Sequence, residues 1–367
     1  MRYIKEFRNE KLVKSIVKQI DQLSTQKWVI MEMCGGQTHA ILHYGINDLL
    51  NNCVEFVHGP GCPVCVTPLE LIDKALLLSQ DPNVIFTSFG DMLRVPGSDT
   101  DLFQVRANGG NVKIVYSPLD AVKLAQENPD KEVIFFAIGF ETTAPPNIMA
   151  VLQAKRLGIK NFSLLVSQVR VPPAISLILN STENRVQGFL AAGHVCAVMG
   201  YEEYLPISKK YQVPVTITGF EPIDILNGVL KTIQQLEAQQ FEVINAYNRV
   251  VTKEGNAHAL ELINKVYEPC DRNWRGIGTI QNSGWRLNKD YSSYNAEKKF
   301  KIEHITVKEP EICIAGEILQ GLKIPLDCKA FGKQCTPDNP LGATMVSSEG
   351  ACAAYYKYQR HNRTSEL

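Results

Sequence analysis

Short apolar runs alternate with longer stretches of helical periodicity over the first 240 residues, and this alternation restricts the possible folds more than any other feature. The apolar runs predict strands at 28–33, 54–58, 84–89, 112–116, 133–138, 162–166 and 213–218. Helical spacing of apolar residues predicts helices at 9–23, 69–78, 119–127, 147–157 and 224–239. Strands that alternate with helices at this spacing indicate parallel sheets covered by helices, so the predicted fold class is α/β.

Two of the predicted helices begin with capping signals. Thr67 is followed by proline, leucine and glutamate, and Ser117 is followed by proline, leucine and aspartate. A hydroxyl residue, a proline at the first helical position and an acid three residues after the cap are typical of a helix start. We therefore expect Thr67 and Ser117 to be helix N-caps.

Three segments each pass from an apolar strand through a glycine to an acid: VIFTSFGD (84–91), VIFFAIGFE (133–141) and VTITGFE (215–221). This weak similarity indicates two related α/β domains, which we predict at 1–130 and 131–235. Residues after 236 have little periodicity, so we predict a smaller, irregular third domain at 236–367, with the helix at 9–24 packed on it. The acids Asp91, Glu141 and Glu221 would follow strand ends, where open α/β sheets bind ligands.

The charge balance and the apolar runs exclude several classes of protein. Lys+Arg and Asp+Glu both number 38, so the basic excess of a general nucleic-acid binder is absent. The N-terminal segment lacks an apolar signal core, and the longest apolar runs are too short to span a bilayer. No nucleotide-binding, P-loop, serine-hydrolase or zinc-protease motif occurs. We therefore expect a cytoplasmic protein, in which ten cysteines are better explained as metal ligands, redox groups or core residues than as structural disulfides.

Four cysteines lie close together near the C-terminus, with the spacing C-x14-C-x6-C-x16-C. They are Cys313, Cys328, Cys335 and Cys352. Zinc sites usually contain paired C-x2-C knuckles, and this segment has none. The wider spacing favours a [4Fe–4S] cluster. Zinc and unliganded thiols remain the alternatives on spacing alone.

A second group of cysteines follows the first two predicted strands, so we expect both cysteine loops at the carboxyl edge of neighbouring strands, where the three thiols could meet. Cys34 precedes a Gly-Gly turn, and Cys62 and Cys65 form a Cys-Pro-Val-Cys pair with the spacing of a redox dithiol. The helix predicted behind Thr67 would lower the pKa of Cys65. The nearby His39, His43 and His58 suggest hydrogen-bonding roles or, as an alternative, a mixed Cys/His zinc site. The remaining Cys53, Cys196 and Cys270 are expected to be buried apolar residues.

Six motifs are spread over almost the whole chain: CGGQTH (34–39), GPGCPVC (59–65), GFETTAP (139–145), GHVCAVMG (193–200), GFEP (219–222) and CTPDNPLGATMVSSEGACAAYYKY (335–358). They resemble the motifs of one protein family, the HypD family of [NiFe]-hydrogenase maturation proteins.

The resemblance implies a scaffold that assembles the Fe(CN)2CO group of the hydrogenase with a small partner, HypC, and receives cyanide from HypE. It implies two related α/β domains and a third domain with a [4Fe–4S] cluster held by Cys313, Cys328, Cys335 and Cys352. By the same resemblance, Cys34 would bind the nascent iron, and Cys62 and Cys65 would be the redox-active pair.

Polar residues near these cysteines are candidates to orient ligands or move protons. His39, Asp91, Glu141 and Glu221 are such candidates around the iron, and Glu349 is one beside Cys352. Capping and loop hydrogen bonding are the structural alternatives for each. Two other functions use the same cysteines: a free-standing iron–sulfur dithiol reductase, and a zinc-binding scaffold without a redox role.

Overall fold

The structure is a computed structural model of the 367-residue chain and describes residues 6–302, 305, 307 and 309–359. Its strands are β1 (Trp28–Glu32), β2 (Val54–His58), β3 (Val84–Ser88), β4 (Val112–Ile114), β5 (Glu132–Gly139), β6 (Phe162–Val169), β7 (Gly188–Ala192), β8 (Val215–Thr218), β9 (Val243–Asn245), β10 (Tyr267–Trp274) and β11 (Gly278–Leu287).

The α-helices are α1 (Glu10–Leu23), α2 (Gly35–His43), α3 (Ile46–Leu49), α4 (Pro63–Val66), α5 (Leu69–Ser79), α6 (Leu102–Ala107), α7 (Pro118–Glu127), α8 (Ala144–Arg156), α9 (Val171–Asn180), α10 (Gly193–Met199), α11 (Tyr204–Tyr211), α12 (Pro222–Glu237), α13 (Ala257–Val266), α14 (Ala296–Phe300), α15 (Ala315–Leu319) and α16 (Ala351–Tyr358). Short 3-10 helices lie at Glu6–Arg8, Gly90–Arg94, Glu141–Thr143, Lys289–Tyr294, Pro325–Asp327 and Ala343–Met345. Within the described ranges, no helix is both long and apolar enough to span a bilayer.

The strands form two sheets, and the predicted α/β class is confirmed. The first sheet has the order β2-β1-β7-β8-β9, and all its strand pairs are parallel. The second has the order β10-β11-β6-β5-β3-β4, in which β3 to β6 are parallel and the β10–β11 hairpin is antiparallel. All eight residues of β6 are buried, as expected for a parallel strand covered on both faces. The 309–359 segment contains only short helices and loops, which agrees with the predicted irregular C-terminal region.

Sheet membership does not follow the predicted ranges 1–130, 131–235 and 236–367. β3 pairs with β5 across residues 130 and 131, and β7 to β9 return to the sheet begun by β1 and β2. The β10–β11 hairpin, placed by prediction in the irregular domain, extends the second sheet. Strand–helix alternation indicates which elements exist, but it does not encode the point at which the chain leaves one sheet and later returns to it.

The N-terminal helix packs on α12 rather than on the C-terminal segment. Ile16 and Ile20 of α1 lie in one buried cluster with Ile223 and Leu230 of α12, and each is at most 8% exposed. Burial of an aliphatic side chain contributes about 1.5–3 kcal/mol, so this apolar face is sufficient to hold α1 in place. Asn9 caps α1, since its side chain accepts hydrogen bonds from the N–H groups of Lys11 and Leu12.

One of the two predicted capping signals is confirmed. Ser117 and Asp120 form a capping box at the start of α7. Thr67 is not an N-cap: α5 begins at Leu69 after Pro68, without a side-chain cap. The Thr67 hydroxyl instead donates to the carbonyl of Pro63 at 2.9 Å, because the cysteine pair forms its own helical turn, α4, directly before it.

Candidate metal centre

Cys34 lies at the carboxyl end of β1, where it is the N-cap residue of α2. Its side chain is buried, and its backbone N–H donates to Glu32 Oε2 at 2.9 Å. Burial raises the pKa of the Cys34 thiol, and the carboxylates of Glu349 and Glu32 raise it further. The thiol therefore favours its protonated form, and a metal ion that binds there must displace the proton.

The Cys62–Cys65 loop lies directly against Cys34 because β1 and β2 are parallel neighbours. The Gly35 N–H donates to the Gly61 carbonyl at 3.2 Å. A Cβ atom added to Gly61 would lie 2.5 Å from Cys34 Cα, so this contact requires glycine. Cys62 and Cys65 form a disulfide, and both are buried. The expectation that the two cysteine loops meet at one sheet edge is confirmed.

Cys65 lies inside the four-residue helix α4, and Cys62 is its N-cap residue. The Cys62 sulfur accepts a hydrogen bond from the Cys65 N–H at 3.2 Å. α5 begins at Leu69, four residues after Cys65, and Cys65 has no free thiol in the disulfide, so the predicted effect of this helix on the pKa of Cys65 stays a prediction.

The four C-terminal cysteines line one cavity. Cys313, Cys328, Cys335 and Cys352 surround it together with apolar side chains that include Phe331. Two of the sulfurs accept hydrogen bonds, Cys335 from the Leu341 N–H at 3.4 Å and Cys352 from the Thr344 hydroxyl at 3.2 Å. Across the described part of the chain, no three His, Cys, Asp or Glu side chains gather closely enough to hold a single metal ion.

The segment 342–344 connects this cavity to the disulfide. A Cβ atom added to Gly342 would lie 2.6 Å from Cys313 Sγ. The next residue, Ala343, places its carbonyl oxygen 4.0 Å from Cys65 Sγ. Thr344 then contacts Cys352. Cys34, the disulfide and the four-cysteine cavity thus follow one another through direct contacts.

Glu349 lies over the turn that follows Cys34. A Cβ atom added to Gly35 would lie 2.3 Å from the Glu349 carbonyl oxygen. Burial raises the pKa of the Glu349 carboxyl, and the negative charge of the exposed Asp91 raises it further. The structure therefore brings Glu349 to Cys34 and brings Asp91 near Glu349.

His39 is on α2, as predicted, and its ring lies 5.7 Å from that of His43. Its Nε2 is 3.3 Å from the Tyr358 hydroxyl. The pKa of His39 is lowered by burial and by its neighbours His43 and Lys357. His39 thus lies at the contact between α2 and α16, where its side chain neighbours the rings of His43 and Tyr358.

A buried polar network below Cys34 contains His58, whose predicted hydrogen-bonding role is confirmed, and Glu32, which was not predicted. Glu32, which is fully buried, accepts hydrogen bonds from the Cys34 N–H and the Thr38 hydroxyl and contacts His58 Nδ1 at 2.8 Å. His58 Nε2 lies 3.1 Å from the Tyr355 hydroxyl on α16. The network links the turn that carries Cys34 to the helix that carries Cys352. A glutamate at an otherwise apolar strand position in WVIME was the available signal.

His194 is the second residue that was not predicted. Its Nδ1 lies 4.0 Å from Cys34 Sγ, and burial lowers its pKa to about 4. The contact arises because β7 pairs with β1, so the residues that follow these two strands meet. The GHVCAVMG motif contains His194, but its importance depends on sheet order.

Glu141 lies at the start of a short helix after β5, where burial raises the pKa of the Cys196 thiol and the charge of Glu141 raises it further. One carboxylate oxygen accepts the Val171 N–H at 2.8 Å, and the other has no hydrogen-bond partner among the residues that the structure describes. Burial raises the pKa of Glu141 to about 7.

The buried Glu141 carboxylate should make the protein less stable as the pH rises. Between its usual pKa of 4.5 and about 7, the folded protein binds more protons at this group than the unfolded chain does, so stability falls with increasing pH. We expect Glu141→Gln to raise the free energy of unfolding at pH 8 by at most about 3 kcal/mol, and the gain should shrink toward pH 5. Urea unfolding from pH 5 to pH 8 measures this, with the exposed Glu268→Gln as control. An equal gain at both pH values would contradict the prediction.

Glu221 and the remaining cysteines have structural contacts. Glu221 forms an ion pair with Arg8 at the start of α12. Cys53 and Cys196 are buried as expected, and the Cys53 thiol donates to Asp21 at 3.0 Å. Cys270 on β10 is only half-buried, so the prediction that it is a buried apolar residue is only partly confirmed.

The chain is similar to known proteins over nearly its whole length. The profile of a family described as "HypD: Hydrogenase formation hypA family" matches residues 10–359. The hydrogenase expression/formation protein HupD of Azotobacter chroococcum mcd 1 is 45% identical over 374 residues, which cover 100% of this chain and 99% of that protein. The hydrogenase maturation factor HypD of Azotobacter vinelandii is 44% identical, with 99% and 98% covered. That of Escherichia coli K12 is 41% identical, with 98% and 99% covered. The chain therefore belongs to the HypD family of hydrogenase maturation factors.

Proposed function

We propose that this protein is the scaffold on which the Fe(CN)2CO group of a [NiFe] hydrogenase is assembled, together with HypC and with cyanide supplied through HypE. The observation that carries the proposal is the succession of direct contacts from Cys34 through the Cys62–Cys65 disulfide to the four-cysteine cavity. Iron with CO and cyanide ligands is the substrate of this assembly. A protein that builds it needs a soft ligand, a redox couple and an electron source in one place.

Cys34 is the proposed iron ligand. A thiolate suits an electron-rich, low-spin iron, and one protein thiolate is enough when the diatomic ligands and the partner supply the rest. Gly35 and Gly36 leave the space above the thiol free of side chains on α2. His194, 4.0 Å from Cys34 Sγ and held neutral by burial at ordinary pH, is placed to hydrogen-bond to the Cys34 sulfur and to orient it.

Glu349, Asp91 and His39 are the polar residues proposed to support the Cys34 turn. Glu349 packs against Gly35, and desolvation raises the pKa of its carboxyl, which favours a role in proton transfer. Asp91 maintains that raised pKa by its charge. The contact between His39 and Tyr358 gives His39 a role in fixing α2 against α16.

Cys313, Cys328, Cys335 and Cys352 would hold a [4Fe–4S] cluster, which supplies single electrons when it is bound. The donor set fits: four thiols line one cavity, and hydrogen bonds reach the sulfurs of Cys335 and Cys352. Opening the Cys62–Cys65 disulfide takes two electrons and two protons and yields two thiols. The dithiol therefore needs a second electron from a one-electron donor outside the chain, and we propose a relay of that kind.

Metal analysis separates this proposal from a zinc-binding scaffold. We expect the anaerobically purified protein to be brown and to contain about four iron and four sulfide per chain. Replacement of Cys313 and Cys335 by serine should remove both. A colourless protein that contains zinc and no sulfide would contradict the cluster and favour the scaffold without a redox role.

A further inference from the structure

Arg275 occupies an unusual position between the two thiol groups. It lies in the turn between β10 and β11, and its side chain is only 7% exposed. Its guanidinium donates to Glu309 Oε2 at 3.1 Å and to the Pro96 carbonyl at 3.2 Å. A guanidinium keeps its charge at any pH at which the protein is folded, so this turn holds a buried positive charge.

The turn contacts both the disulfide helix and the segment that carries Cys313. The backbone N–H of Arg275 donates to the carbonyl of Val66, the last residue of α4, at 2.9 Å. On the other side, a Cβ atom added to Gly316 would lie 1.9 Å from the Gly276 carbonyl oxygen. A side chain at Gly316 would therefore clash with this oxygen. Gly276 itself has a φ of +73°, which favours glycine.

The contacts of the Arg275 turn lie on either side of Cys313 in the chain segment that carries this cysteine. Glu309, the ion-pair partner of Arg275, lies four residues before this cysteine, and Gly316 lies three residues after it. The partner Glu309 is 41% exposed, so solvent screens its negative charge more than it screens the buried guanidinium.

We propose that Arg275 raises the reduction potential of the iron–sulfur cluster and so sets the direction of electron flow between the cluster and the Cys62–Cys65 pair. The inference rests on the proposed function, since it requires the cluster. A cluster with four thiolate ligands becomes more negative when it gains an electron, and a nearby buried cation stabilises the reduced form more than the oxidised form. Arg275 changes the energy of the cluster without being a ligand.

The test is a redox titration of the full-length, anaerobically reconstituted protein, followed by electron paramagnetic resonance. We expect Arg275→Gln to lower the midpoint potential by about 59 mV, which corresponds to a tenfold change in the one-electron equilibrium constant. Arg275→Lys should restore most of that loss. Glu309→Gln should shift the potential upward, because it removes the opposing charge. Arg286→Gln on β11, whose side chain is 62% exposed and paired with Glu268, is the control and should cause no shift.

An unchanged potential in Arg275→Gln with an intact cluster would overturn the inference and leave the proposed function standing. If Arg275→Gln loses its cluster, Glu309→Gln decides: an upward shift supports the inference and no shift overturns it. If the unsubstituted protein takes up no iron and sulfide at all, both the inference and the cluster part of the proposed function are wrong.

Discussion

Replacement of Cys62 and Cys65 together by alanine is expected to abolish hydrogenase maturation while the protein keeps the visible absorption of its cluster. The two cysteines form the disulfide between the Cys34 turn and the segment 342–344, and neither lines the four-cysteine cavity. Hydrogenase activity should fall to the background of a host strain that lacks its own HypD-family protein. That strain, complemented with the variant, provides the measurement.

Cys270→Ala is the matched control for this experiment. Cys270 lies on β10, half-buried and outside both thiol groups, so its replacement should leave maturation and colour unchanged. Maturation that survives in the double variant would show that the redox relay is wrong, even if the cluster is present. Loss of colour together with activity would mean that the loop stabilises the cluster cavity, which would also contradict the separation of roles proposed here.

Cys34→Ala is the second change for which we expect a complete loss of function. It removes the only thiol in the turn between β1 and α2 and deletes few atoms, so the destabilisation should stay within about 1–2 kcal/mol. Maturation should stop, and the complex with the small partner protein should retain only the iron of the cluster.

Cys53→Ala is the control for that change, because Cys53 is about as buried as Cys34 and lies at the other end of the same strand pair. It should support normal maturation. A Cys34→Ala protein with full activity would favour a free-standing dithiol reductase, which needs the disulfide and the cluster but not Cys34.

The site residues that could be predicted from the sequence are those that directly follow predicted strands. Cys34 and the Cys62–Cys65 pair follow β1 and β2, which were both predicted from apolar runs. Parallel neighbours end at the same edge of a sheet, so the meeting of these cysteines followed from the pattern. The helix α16 can also be predicted from the sequence, because the segment after Gly350 is rich in alanine and tyrosine.

The remaining contacts of the site depend on the order of strands in the sheets, which local sequence patterns do not encode. His194 reaches Cys34 only because β7 lies beside β1, and β7 is a five-residue strand of glycine, phenylalanine, leucine and two alanines that was not predicted. The β10–β11 hairpin was missed because β10 contains Pro269 and alternates buried with exposed residues in a polar sequence, YEPCDRNW. The positions of His194 and Arg275 therefore became visible only in the structure.

The scaffold function itself can be tested by infrared spectroscopy of the chain purified anaerobically with its small partner from cells that make active hydrogenase. Metal-bound cyanide and CO absorb in a region free of protein bands. We expect bands of both ligands in the unsubstituted complex and none in the complex that contains Cys34→Ala. Absence of these bands from the unsubstituted complex, or their persistence without Cys34, would contradict assembly of the iron group on this thiol.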